Sequence, residues 1–267
     1  MKAGCAMRKL SGSIVLFWGL VALSLPAAAA EDFHWRGRVA AGQVIEIKGV
    51  NGSVRAEAAS GNEVEVVAVK RGRRNDPNEV KIAVVEHGDG VTVCAVYPSP
   101  DAGRPNECQP GSGGRMNTRN NDVNVEFTVR VPAGVRFAGR TVNGAVEAES
   151  LAGDVSAHTV NGSVTVSTTG HASARTVNGS IKASLGSASW NDALEFETVN
   201  GSITVSLPAG TDADLSAKTV NGEITSDLPL TVRGRFTGRE LSGTLGRGGR
   251  PLVLKTVNGS LRVRVAS

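Results

Sequence analysis

Downstream of residue 30, apolar and polar positions alternate with a period of two, and no long run keeps the 3.6-residue spacing of a helix. Val64-Glu65-Val66-Val67-Ala68-Val69 and Val80-Lys81-Ile82-Ala83-Val84-Val85 read as strands, as do Val91 to Val96 and Val123 to Val129. Farther along, Ala172-Ser173-Ala174-Arg175, Leu194-Glu195-Phe196-Glu197 and Leu215-Ser216-Ala217-Lys218 share one phase. Small or apolar residues fall on one face and polar ones on the other, so one face is buried and one meets water. The pattern predicts an all-β chain.

The alternation is punctuated by one tetrapeptide. Thr-Val-Asn-Gly begins at Thr141, Thr159, Thr176, Thr198, Thr219 and Thr256; Gly49-Val50-Asn51-Gly52 is a close relative. Glu240-Leu241-Ser242-Gly243 reads as a degenerate copy filling the long gap before the last. The downstream spacing is then roughly 16 to 22 residues, one supersecondary unit of a repeat array. The residue before each Thr (Arg140, His158, Arg175, Glu197, Lys218 or Lys255) falls on the outward phase. The Thr falls on the inward phase, where its hydroxyl needs a backbone partner near the corner.

Two architectures fit. In an antiparallel hairpin array, Asn-Gly is a type I′ turn, because both residues accept positive φ. In a parallel β-solenoid resembling a single-stranded β-helix, Asn-Gly is a corner, each repeat is one coil, and coils stack about 4.8 Å apart. The hairpin explains Asn-Gly alone. The solenoid also explains Thr and Val, since each residue then sits on its own copy in the next coil. The expected turn residues are Asn51, Asn143, Asn161, Asn178, Asn200, Asn221 and Asn258. Either turn reading assigns Gly179 a positive φ, so Gly179→Val is expected to strain the corner. The variable Pro208-Ala209-Gly210 falls at an opposite corner.

Three segments follow. Residues 1–30 carry a positive start (Lys2, Arg8, Lys9), an apolar stretch from Ile14 to Leu25 and the small residues Ala28-Ala29-Ala30, the pattern of a cleaved signal peptide. The stretch is short for a membrane span, although an uncleaved anchor is the alternative. Residues 31–132 form an amino-terminal β region with the first repeat and an exposed loop at about 97–121; residues 133–267 hold the dense repeats. The whole chain is formally +4, and three of those charges leave with the signal, so the mature chain is close to +1 (4 − 3). Such a balance gives no reason to expect nucleic acid as a partner. Cys94 and Cys108 remain, and in an oxidising compartment they are expected to pair, closing a loop for about 3 kcal/mol. Two reduced thiols, or a metal site short of ligands, are the alternatives.

The motif Thr-Val-Asn-Gly-Ser-[Val/Ile/Leu], as at Thr159 to Val164, Thr176 to Ile181, Thr198 to Ile203 and Thr256 to Leu261, follows a Val131-Pro132 step. It resembles a bacterial family of exported β-strand-repeat proteins of unknown function, related to the head domains of candidate adhesins. The resemblance spans about Val39 to Val265 and implies a β-solenoid. It implies no catalytic residue and no cofactor.

Candidate chemistry is sparse. Glu147, Glu149, Asp154, Glu195, Glu197 and Glu223 are scattered acids, replaced by Ser, Thr or Lys in neighbouring repeats, and read as a solvated face. His34, His87, His158 and His171 lack metal-ligand spacing. The Gly246 to Arg250 run could cradle an anion on its backbone amides or simply lengthen a corner. Asn161, Asn178, Asn200 and Asn221 could bond along the stack or face a sugar, and Ser163, Ser180, Ser202, Thr165 and Thr204 add a hydroxyl strip suited to weak multivalent contact. The chain is expected to be an exported, non-enzymatic, adhesin-like or structural β-solenoid of the periplasm or cell surface. Its expected partners are an envelope glycan or protein, with no nucleic acid, no metal and no cofactor. The alternatives are a polysaccharide-active enzyme working through acids such as Glu195 and Glu197, and an accessory protein of an envelope-stress system.

Overall fold

Each Thr-Val-Asn-Gly corner turns the chain from a strand of one sheet into a strand of another. This is seen in a computed structural model that describes residues 1, 32–187, 190, 192–232 and 239–266. The segment expected to direct export lies outside these residues.

The amino-terminal region supplies β1 (Phe33–Gly37), β2 (Val44–Lys48), β3 (Val54–Ala58) and β4 (Val64–Arg71). It continues with β5 (Lys81–His87), β6 (Gly90–Val96) and β7 (Asn124–Val131). Four regular pairs follow. They are β8 (Arg136–Arg140) with β9 (Val146–Leu151), and β10 (Val155–His158) with β11 (Val164–Thr168); then β12 (Ala172–Arg175) with β13 (Ile181–Leu185), and β14 (Leu194–Glu197) with β15 (Ile203–Leu207). The remainder comprises β16 (Ala213–Lys218), β17 (Ile224–Ser226), β18 (Leu230–Val232), β19 (Glu240–Leu245), β20 (Pro251–Lys255) and β21 (Leu261–Val265). A 3₁₀ turn at Pro77–Glu79 is the one helical element among the described residues.

Sheet A runs β1-β4-β7-β3-β9-β11-β13-β15-β21-β17, and sheet B runs β18-β19-β16-β20-β14-β12-β10-β8-β2-β6-β5. Both are mostly parallel, the arrangement of a solenoid rather than of stacked hairpins. The inward positions form rows that face each other between the sheets. Val54, Val146, Val164, Ile181, Ile203, Leu261 and Ile224 make one row of sheet A. Ile47, Gly139, Ala157, Ala174, Phe196, Leu254 and Ala217 make one row of sheet B. Gly139 is small because Phe137 and Val146 fill the space where its Cβ would stand. Burying such rows is the main stabilisation, at about 25 cal/mol per Å² of apolar surface.

The coils do not stack in chain order. The last coil, β20–β21, lies between β14–β15 and β16–β17. At the other end, β2–β3 lies between β6–β7 and β8–β9. The coil of residues 44–58 is therefore continuous with the downstream stack.

Antiparallel strands extend both ends of sheet B and one end of sheet A, whose other end is β17. β5 covers β6, β4 and β1 extend beyond β7, and β19 with β18 covers β16. Glu240-Leu241-Ser242-Gly243, expected to be a degenerate corner, is instead the start of this capping strand β19. Its alternation matches a coil strand, but Ser242 offers no amide to continue an asparagine row.

Candidate functional site

The corner is built from three superposed rows. Each Thr hydroxyl donates to the glycine carbonyl of the next coil in space: Thr159 to Gly144 at 2.8 Å, Thr176 to Gly162, Thr198 to Gly179 and Thr256 to Gly201 at 2.9 Å. Thr141 does the same to Gly52 and Thr219 to Gly259, both at 2.9 Å. The asparagines form a single amide chain, each Nδ2 donating to the neighbouring Oδ1. In spatial order it runs Asn51, Asn143, Asn161, Asn178, Asn200, Asn258, Asn221, with distances of 2.7 to 2.9 Å. Aligned amides polarise one another, so the row stiffens the corner, although the side chains from Asn143 onward are exposed.

Two corner glycines, Gly52 at φ 120° and Gly259 at φ 156°, have the expected positive φ, but the others serve a different purpose. Gly144, Gly162, Gly179, Gly201 and Gly222 have no positive φ. A Cβ on Gly179 would instead collide with the carbonyl of Gly162, and the same holds coil by coil along the stack.

Between Thr and Asn, the valines point outward. Val142, Val160, Val177, Val199 and Val257 are 38–39% exposed and Val220 48%, forming a ridge beside the His158, Arg175, Glu197, Lys255 and Lys218 row. The groove along this ridge is about 510 Å³.

The amino-terminal end of the amide chain is capped by a residue that sequence reasoning did not single out. Tyr97 is buried, and its phenol donates to Val123 O at 2.9 Å and to Asn51 O at 3.2 Å. Burial pushes its pKa up to about 12, against the opposing hydrogen bond with Asn51. Asn51 Nδ2 is taken by Asn121 O and Val123 O at the far end of the 97–121 segment. A Cys94–Cys108 disulfide ties that segment to β6, with a Cα–Cα distance of 5.7 Å. Lys48 Nζ holds it again through Gln109 O and Gly113 O.

Below this segment lies a polar trough on the outer face of sheet B. Strand register sets three outward rows: Arg136, Asp154 and His171; Ala138, Ser156 and Ser173; Arg140, His158 and Arg175. The middle row is small, so Arg136, Asp154 and His171 on one side and Arg140 on the other stand as walls and leave about 690 Å³; His158 and Arg175 turn instead to the groove along the valine ridge. One end is closed by Asp89 and the Pro110–Ser112 turn. Glu46 is buried there, its Oε2 accepting from Thr92 Oγ1 at 3.0 Å and Gly111 N at 2.9 Å; Arg140 Nε stands 3.1 Å from its Oε1. Burial holds Lys48 below the usual lysine value, Arg140 adding to this against the pull of Glu46. Burial, then Arg140 and Arg175, likewise holds His158 below the usual imidazole value, and its Nδ1 is 3.5 Å from Ser156 Oγ.

The other expected residues are dispersed. Glu195 and Glu197 both pair with Arg175, and Glu197 also with Lys255. Glu147 pairs with Arg55 across sheet A. The amides of the Gly246–Arg250 run face the chain's own carboxylates: Arg247 N donates to Asp212 Oδ1 at 2.8 Å and Gly249 N to Asp214 Oδ2 at 2.9 Å. The Arg247 backbone N–H, followed by its guanidinium, holds Asp212 below the usual carboxylate range. Among the described residues, no group of three or more His, Cys, Asp or Glu is placed to hold a metal ion. No helix among them is long and apolar enough to cross a membrane.

Fold and surfaces together define a two-sheet, ladder-cornered β protein with elongated polar faces. Residues 135–264 match the Toastrack DUF4097 family. No curated protein matches the chain. Among solved structures, a candidate cell adhesion protein from Clostridium sporogenes shares 10% identity at a TM-score of 0.45, covering 88% of this chain and 100% of its own. A candidate adhesin from Bacteroides fragilis shares 11% identity at a TM-score of 0.33, covering 88% and 97%.

Proposed function

We propose that this chain is an exported, non-enzymatic, adhesin-like β-solenoid of the cell envelope, a binding module whose partner is an envelope glycan or protein. The observation that carries the reading is the trough on sheet B. It is concave and polar, its floor is the small row Ala138, Ser156 and Ser173, and it runs along the solenoid axis. That shape suits a segment of an extended polymer, gripped by both charge signs on the walls, better than a compact molecule. Rigid rows repeated at about 4.8 Å suit many weak contacts made at once. The disulfide-tied roof fits a protein that works in an oxidising compartment.

The test is retention of the protein by separated peptidoglycan, outer-membrane and soluble envelope fractions. Wild type is expected to be held by one fraction. Ser173→Trp, which fills the trough from an outward position, is expected to weaken retention at least tenfold with an unchanged thermal midpoint. Absence of wild-type retention by every fraction would sink the reading.

A further inference from the structure

The insertion of the last coil brings together side chains that chain order keeps apart. Had the coils stacked in order, β15 would adjoin β17, with Thr225 beside Thr204. Instead β21 intervenes, and its Arg262 lies beside Thr204 and its Arg264 beside Ser206. On the other flank of β15, Lys182 lies beside Thr204 and Ser184 beside Ser206. The outer face of sheet A therefore carries hydroxyls on β15 with cations on the strands at either side.

Lys182, Ser184, Thr204, Ser206 and Arg264 border a shallow groove of about 490 Å³, and the strand register sets Arg262 just outside it. Its far end is closed at Glu149 and Ser150, where a bulge shifts the β9–β11 register and Ser150 takes a φ of 55°. Bulges of this kind re-aim side chains at the rim of a site. Glu149 stands two strands from Lys182 and four from Arg264, so it leaves the cationic end its sign. Arg264 faces Asp227 at 3.8 Å, and Arg262 Nε donates to the Thr225 hydroxyl at 3.2 Å. The Arg264–Asp227 pair is half exposed and of the kind that contributes little, so Arg264 can exchange it for a ligand.

We propose that this groove binds an anionic glycan, a linear sugar polymer bearing carboxylate or phosphate groups. Lys182, Arg262 and Arg264 would take the charges, and Thr204, Ser184 and Ser206 the sugar hydroxyls. Hydroxyls between cations suit an alternation of charge and hydroxyl along one polymer. The groove lining contains no aromatic ring, which stacking on nucleic-acid bases requires. The inference rests on the binding-module reading, but it does not use the trough.

The experiment is binding of the full chain to immobilised polygalacturonate, with dextran and double-stranded DNA as parallel surfaces. Wild type is expected to bind polygalacturonate at low salt, to lose most of that binding by about 0.3 M NaCl through screening, and to ignore dextran. Lys182→Ser combined with Arg264→Ser is expected to weaken binding at least tenfold; both positions point to water, so the thermal midpoint should hold. Arg262→Thr should weaken it less. Ser173→Trp should leave it unchanged, so failure of the trough and failure of this groove remain distinguishable. Equal binding to dextran, equal binding to DNA, or a double variant that binds like wild type would overturn the assignment.

Discussion

Gly179 shows how one residue type can be demanded for two different reasons. A turn that needs positive φ tolerates asparagine better than alanine, because a short polar side chain can bond locally there. A stack that leaves no room for a Cβ grades substitutions by size alone. Gly179 has no positive φ, and the carbonyl of Gly162 occupies the place of its Cβ. We therefore expect the stability order Gly179, then alanine, then asparagine and valine together. The larger side chains should cost about 3 kcal/mol, since backbone on the opposing coil cannot move aside as a side chain does. Thermal or denaturant midpoints of the three variants check this. A Gly179→Asn protein more stable than Gly179→Ala would restore the left-handed reading. The threonine behaves more simply. Its inward phase was legible from alternation, and the partner that phase requires is the glycine carbonyl of the adjoining coil.

At the scale of elements, the coils and the segments that close them obey different rules. An exposed strand edge is a template for unwanted pairing, and a solenoid has two at each end. Here antiparallel strands extend sheet B at both ends and sheet A at its amino-terminal end, where Tyr97 is fitted against Asn51, the first of the asparagine row. Tyr97 is protonated in the fold up to about pH 12, whereas an unfolded tyrosine ionises near pH 10. Below pH 10 both states hold the proton and stability is flat. Between pH 10 and 12 the unfolded state loses it first, so stability falls as pH rises. Tyr97→Phe should lower the unfolding free energy at pH 8 by about 1 kcal/mol through the lost hydrogen bonds and should flatten the decline above pH 10. An unchanged alkaline slope would show that the phenol is not sealed in. The coils were legible because one tetrapeptide marks each of them. The closing strands were not, because a period of two is the same in parallel and antiparallel pairing. Glu240-Leu241-Ser242-Gly243 therefore passes for a corner until its pairing with β16 is seen. The trough was hidden for a related reason: its walls and floor are outward positions of three different coils, brought together only by register.

The whole molecule is defined by an order of coils that differs from the order of the chain. β20–β21 gives β16 and β14 a common parallel neighbour, and among the described residues β17 pairs with β21 alone. Its inward side chains Leu252, Leu254, Leu261 and Val263 are fully buried. Each contributes about 1.5–3 kcal/mol on burial, as an upper bound, which together approaches the entire stability of an ordinary domain, about 5–15 kcal/mol. Ending the chain after Arg250 therefore removes a central layer, not a terminal one. β16 would keep only its antiparallel partner β19, and β17 would keep no strand partner among the described residues. Hydrogen exchange followed by peptide is the measurement. In the truncated protein, amides of β16, β17 and β19 are expected to exchange nearly as fast as in an unfolded chain, while β8 to β13 stay protected. If the coils stacked in chain order, the same truncation would strip only an outer layer, and β16 would remain protected by β14. Retained protection at Leu215 and Ala217 would overturn the inserted order, and with it the grouping of Lys182, Arg262 and Arg264 on sheet A.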